Sequence, residues 1–136
     1  MDKHLNYLAL ARKAGLVELG EEPVGAAARA GKAYLIVVAA DAGDHSWRRA
    51  KSYTAGTQQQ CIRLAQSKDE LGQAIGRTSL AMAAFTDASL AVAFLKAMEK
   101  PNAEALSVLE DKAKRLEARK KEAKAHQRNL RKGKKK

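Results

Sequence analysis

The stretch YLIVVAA, residues 34–40, decides the fold. It is an unbroken apolar and aromatic run, β-branched at its centre, with no polar residue alternating through it. Such a segment reads as a strand covered on both faces. Leu80–Phe85 is a second run of the same kind. Two doubly covered strands need helices above and below them, and the intervening sequence provides helix signals at the right intervals.

Upstream, residues 4–14 predict a helix with Leu5, Leu8 and Ala9 on one face and Gly15 as a left-handed stop. Leu16–Leu19 predicts a short edge strand. Residues 19–26, LGEEPVGA, then open a second helix that runs to about Ala30 and ends at Gly31. Glu21, Glu22 and Pro23 are good first-turn residues, because carboxylates complement the positive end of the helix dipole and proline has no N–H to leave unpaired.

Downstream, Asp44 is expected to cap a third helix reaching about Ala55, and Cys61–Leu64 predicts another short strand. Ser67-Lys68-Asp69-Glu70 has the spacing of a capping box, followed by Leu71, Ala74 and Ile75 on one face and a stop at Gly76. After the second buried strand, Asp87 is expected to cap a fifth helix with Leu90, Phe94, Leu95 and Met98 facing inward. Strands alternating with helices give an α/β domain with helices on both faces of a small sheet.

Lys100-Pro101-Asn102 marks the expected boundary between a domain of residues 1–100 and a tail of residues 101–136. From Ala103 to about Arg131 the chain is rich in strong helix formers, with Glu110–Lys114, Asp111–Arg115 and Glu117–Lys121 at favourable i,i+4 spacing. Leu106, Leu109, Ala113 and Leu116 keep heptad spacing until Lys120 interrupts it, which is too short for a coiled coil. The tail is expected to be a solvated basic helix fraying into residues 133–136.

The net charge of +11 is unevenly placed. Residues 1–111 hold 13 Lys/Arg against 13 Asp/Glu, whereas residues 112–136 hold 13 Lys/Arg against Glu117 and Glu122 alone. The tail carries the whole excess, an asymmetry that points to a polyanionic partner. With no aromatic residue among them, its cations suit sequence-independent contact with RNA phosphates rather than stacking on bases. Lys114, Arg115, Arg119, Lys120, Lys121, Lys124, Arg128 and Arg131 are the candidates.

The sequence offers little to an enzyme. His4, His45 and His126 share no metal-ligand spacing with one another or with Cys61. Cys61 reads as a small buried hydrophobe, and a single cysteine fits a reducing compartment. Residues 72–79, GQAIGRTS, resemble a phosphate-binding loop only superficially: they are one residue short, carry Arg for Lys, and precede a strand. Asp41, Asp44 and Asp87 follow strand ends, where capping accounts for the last two. No apolar run approaches the roughly 20 residues of a membrane helix, and the N-terminus lacks a signal-peptide cleavage region. A cytoplasmic monomer with no catalytic group, metal or cofactor is expected.

In order along the chain, LALARKAG (8–15), GEE (20–22), GKAYLIVVAADA (31–42), SKDELGQAIGR (67–77) and AAFTD (83–87) resemble the kink-turn RNA-binding ribosomal protein superfamily, of the L-seven-A-e and L-thirty-e type. The closest look is to its YlxQ-like bacterial branch. The resemblance covers most of residues 5–98 and leaves the basic tail outside. It implies a three-layer α/β/α sandwich around a small mixed sheet, and an RNA-binding surface that joins the start of the second helix to the loop before the last strand.

Transferred to this sequence, that surface comprises Gly20, Glu21 and Glu22 with Gly76, Arg77 and Thr78, flanked by Lys13, Arg29 and Lys32. Glu22, Pro23 and Ala26 stand where the family's strongest RNA binders have Asn, Glu and Lys, so altered recognition is expected. The reading is a non-enzymatic RNA-binding protein associated with the ribosome or ribosomal RNA. The alternative is a protein-interaction module whose tail docks on an acidic partner.

Overall fold

The computed structural model describes residues 2–134, and their side chains as far as Gln127. The chain forms α1 (Lys3–Ala14), β1 (Val17–Leu19), α2 (Glu21–Arg29), β2 (Leu35–Val38) and α3 (Asp44–Thr54). It continues through β3 (Gln60–Arg63), α4 (Lys68–Ala74), β4 (Met82–Phe85), α5 (Ala88–Ala97) and α6 (Ala103–Lys134). The sheet runs β1-β4-β2-β3. β4 is antiparallel to both β1 and β2, while β2 and β3 are parallel, so the sheet is mixed.

Every residue of β2 and β4, the two central strands, is buried. α1, α4 and α5 pack together on one side, and α2 and α3 pack together on the other. This is the α/β sandwich expected from doubly covered apolar runs. Phe85 of β4 meets Phe94 of α5 at 5.0 Å between ring centroids, joining the sheet to one helical layer. The register sets Leu19, Val38, Arg63 and Met82 at one end of the sheet and Val17, Leu35, Gln60 and Phe85 at the other.

Local signals account for most helix starts. Ser67 Oγ accepts from the Glu70 N–H and Glu70 Oε1 accepts from the Ser67 N–H, each at 3.1 Å, which completes the capping box. Asp87 Oδ2 accepts from the Leu90 N–H at 2.9 Å, and Asn102 Oδ1 from the Ala105 N–H at 2.9 Å. Asp44 differs from expectation. Gly43 is the N-cap, its carbonyl accepts from the Trp47 N–H, and Asp44 is the first helical residue with no capping bond. Its carboxylate complements the helix dipole instead.

The start of α6 departs further from the expected solvated helix. Ala105 and Leu109 are 2% and 1% exposed and belong to the core, with Leu106 packed beside them. α6 lies against α5. An apolar stripe too short for an intermolecular coiled coil is enough to dock on a neighbour in the same chain, because the connection through Pro101 has already offset most of the association entropy. Beyond Leu116, every residue from Glu117 to Gln127 is exposed. Of the three expected i,i+4 pairs, Asp111–Arg115 closes at 3.0 Å, the only one to do so among the described residues. The helix extends through Lys134, past the point where fraying was expected; Lys135 and Lys136 lie outside the described residues.

Candidate nucleic-acid interface

The β1–α2 corner depends on Gly20. Its φ of 97° and ψ of 162° fall in a region essentially closed to side-chain-bearing residues. That conformation turns the chain from strand into helix in one step. The Gly20 N–H donates to the Met82 carbonyl at 3.0 Å, which ties the corner to the first residue of β4. The start of α2 and the segment entering β4 therefore meet at one end of the sheet.

The loop between α4 and β4 carries Gly76, Arg77 and Thr78, all exposed. Gly76 adopts a left-handed φ of 75°. The Arg77 N–H donates to Gly72 O at 2.8 Å and the Leu80 N–H to Lys68 O at 2.9 Å, folding the loop back onto α4. It comes so close that a Cβ on Gly72 would lie 2.6 Å from Ser79 N and 2.8 Å from Arg77 O. The guanidinium of Arg12 on α1 donates to the Ile75 carbonyl and passes under Gly76. Sequence reading selected Lys13 and passed over Arg12, whose partner lies 63 residues away.

At the corner itself the electrostatics are mixed. Val24 N–H is taken by Gly20 O, Pro23 has no N–H, and Gly20 N–H is used by Met82. That leaves the Glu21 and Glu22 N–H groups as the unengaged donors of the first turn among the described residues. Glu22 is exposed. Glu21 Oε1 is buried and stands 3.5 Å from Arg49 Nη1 of α3, an ion pair without hydrogen-bond geometry. Arg49, another residue sequence reading did not select, thus offsets one of the two carboxylates from the neighbouring helix.

Arg29 and Lys32 fall elsewhere. Arg29 ends α2, about 13 Å along a nine-residue helix from Gly20, and Lys32 follows three residues later. Arg29 lines a cavity of about 340 Å³ together with Tyr34, Gln58, Gln59 and, from α6, Leu109 and Lys112. The structure brings Arg29 towards the tail helix and not towards Arg77. Lys13 is exposed near the end of α1.

Lys114, Arg115, Arg119, Lys120, Lys121 and Lys124 are all exposed on α6, and among the described residues Arg115 alone is engaged, by Asp111. The side chains of Arg128 and Arg131 lie outside the described residues. Cys61 is half-buried, and burial pushes its thiol up to about 12 despite the opposing influence of Lys51 and Arg63. Among the described residues, no group of three His, Cys, Asp or Glu is placed to hold a metal, and no helix is long and apolar enough to cross a membrane.

No family profile and no curated protein sequence matches the chain. Solved structures do. A protein of unknown function from Bacillus halodurans superposes with a TM-score of 0.68 at 25% identity, covering 74% of this chain and 100% of its own. A 15.5 kD RNA-binding protein from Giardia lamblia superposes with a TM-score of 0.55 at 17% identity, covering 84% of each chain. The likeness to the Giardia protein is one of fold. The Bacillus structure matches over its entire length, so about a quarter of the present chain has no counterpart in it.

Proposed function

We propose that this chain is a non-enzymatic RNA-binding protein of the kink-turn-related, YlxQ-like kind. We propose further that it acts in the cytoplasm as a monomer, on ribosomal RNA or the ribosome. The α/β body supplies shape recognition through the β1–α2 corner and the Gly76–Ser79 loop, and α6 supplies affinity through its phosphate contacts. The observation that carries this reading is the exposed, cation-rich stretch of α6, which continues from first turns docked on the body through Ala105 and Leu109. A helical arm of that charge suits the phosphate backbone of structured RNA, where each neutralised phosphate releases counterions. The fold shared with an RNA-binding protein supports the same reading.

The corner supports RNA contact of a reduced kind. Glu22 and Pro23 offer neither an amide to a base edge nor charge to a phosphate. Contact there falls to two backbone N–H groups and the nearby Arg77.

The test is RNA affinity as a function of salt for the full chain and for a variant with Arg119, Lys120, Lys121 and Lys124 changed to Gln. Exposed substitutions leave the packed turns of α6 intact, whereas deleting residues 101–136 would uncover the core around Leu109. The slope of log affinity against log salt should flatten by up to about 3.6, at roughly 0.7 to 0.9 for each phosphate no longer neutralised. An unchanged slope refutes the role given to α6. Comparing a kink-turn RNA with the same RNA whose G·A pairs are disrupted tests the corner separately, and equal binding means that specificity has gone while the fold remains.

A further inference from the structure

Outside the tail, the cations of this chain are not evenly spread. Residues 44–63 hold Arg48, Arg49, Lys51 and Arg63 against Asp44 alone, although residues 1–111 together are formally neutral. Two of these four flank the only tryptophan. Arg63 Cζ stands 4.9 Å from the Trp47 ring centroid and Lys51 Nζ 5.4 Å from it.

Topology explains the cluster. β3 is an edge strand of the sheet, and α3 packs against it. Trp47 and Lys51 are one helical turn apart and so share a face, while Arg48 follows about 100° round towards solvent. Alternation along β3 buries Ile62 and leaves Cys61 and Arg63 on the opposite side. Trp47 is half-buried, while Lys51 and Arg63 beside its ring, and Arg48 next to it in the helix, are exposed.

Two cations beside one indole repel each other, and among the described residues neither they nor Arg48 has a carboxylate at ion-pair distance. A guanidinium lying over an aromatic ring offers a flat, cationic platform for another π-system, and the flanking charges suit phosphate. Arg49, on the other flank of α3, reaches Glu21 at the start of α2. α3, which packs on both α2 and β3, therefore lies between the patch and the β1–α2 corner.

We propose that the α3–β3 face binds an unpaired stretch of RNA, with a nucleobase stacked on the Trp47–Arg63 pair and the adjoining phosphates held by Lys51 and Arg48. This rests on the RNA-binding reading above and extends it: structured RNA is held by α6 and the corner, and a single-stranded extension crosses α3 to the edge of the sheet.

Because Trp47 is the sole tryptophan, its fluorescence reports on this face alone. The full-length chain is titrated with a twelve-nucleotide oligouridine and with a fully paired RNA duplex of equal length, following both emission and affinity. Oligouridine should quench Trp47, and Arg63→Glu should weaken its binding about tenfold, the size expected when one stacked base loses its platform. The duplex should neither quench Trp47 nor respond to Arg63→Glu by more than about twofold. Oligouridine binding with unchanged emission and undiminished affinity in Arg63→Glu overturns the inference while leaving the RNA-binding reading intact. Equal quenching by the duplex overturns the preference for unpaired RNA. If neither RNA binds, both readings fall together.

Discussion

Gly72 and Gly25 both sit inside helices, yet replacing each with alanine should move stability in opposite directions. Alanine gains about 1 kcal/mol over glycine in a helix interior from intrinsic propensity alone. At Gly72 that gain meets backbone. The new Cβ would lie 2.6 Å from Ser79 N, 2.7 Å from Ser79 Cα and 2.8 Å from Arg77 O, so the loop would have to retreat by 0.6 to 0.8 Å to reach an ordinary 3.4 Å contact. That retreat pulls on the Arg77 N–H to Gly72 O and Leu80 N–H to Lys68 O bonds, which hold the loop to α4.

Overpacking costs about 1–3 kcal/mol, and a weakened backbone hydrogen bond about 1 more. After subtracting the propensity gain, Gly72→Ala should destabilise by about 1–3 kcal/mol, a fall in Tm of roughly 4–12 °C for a chain of this size. At Gly25 the Cβ would meet only the far ends of two flexible side chains, Tyr53 at 2.9 Å from Cζ and from Oη and Arg29 at 3.3 Å from Nη1. That ring is half-buried and can swing aside, so Gly25→Ala should be neutral or mildly stabilising. Thermal and urea unfolding followed by circular dichroism measure both, and amide exchange at Arg77 and Leu80 locates the effect. A Gly72→Ala variant as stable as the parent, with those two amides equally protected, would refute the close approach of loop to helix.

Two further outcomes follow from the packing. Leu109→Ala should cost about 2–4 kcal/mol in urea unfolding, since the side chain is almost fully buried between α6 and the body; a loss under about 0.5 kcal/mol would mean that α6 is not anchored there. The folded-state pKa of Cys61 is raised above its reference value of 9.0 to about 12. Its protonated form is therefore favoured by folding, and the associated stability, complete below about pH 9, is lost as pH rises from 9 towards 12. Cys61→Ala should lack that component of the alkaline decline. At pH 8, iodoacetamide should label Cys61 much more slowly in the folded chain than in urea, and equal rates would contradict the burial.

The parts of this fold legible in sequence are those with short-range causes. The Ser67–Glu70 box and the Asp87 cap act over three residues, and the stops at Gly15, Gly31 and Gly76 need only a left-handed φ at a single position. Asp44 shows the limit of that resolution: a carboxylate suits both the N-cap and the first turn, and sequence could not separate positions one residue apart. The candidate site was legible in part. Gly20 and the Gly76–Thr78 segment carry backbone signatures, whereas Arg12, Arg49 and the Trp47 cluster do not.

Sequence by itself thus determined which segments are helix or strand, that two strands are covered on both faces, and that the positive charge gathers in the tail. Each follows from periodicity, propensity or composition within a window of a few residues. Only tertiary structure decided the order β1-β4-β2-β3, the anchoring of α6 through Leu109, and the separation of Arg29 from the corner where Gly20 meets Met82. It also decided which cations face the indole and which face a carboxylate. Those pairings join positions far apart in the chain, and they exist only once the core has fixed where each helix lies on the sheet.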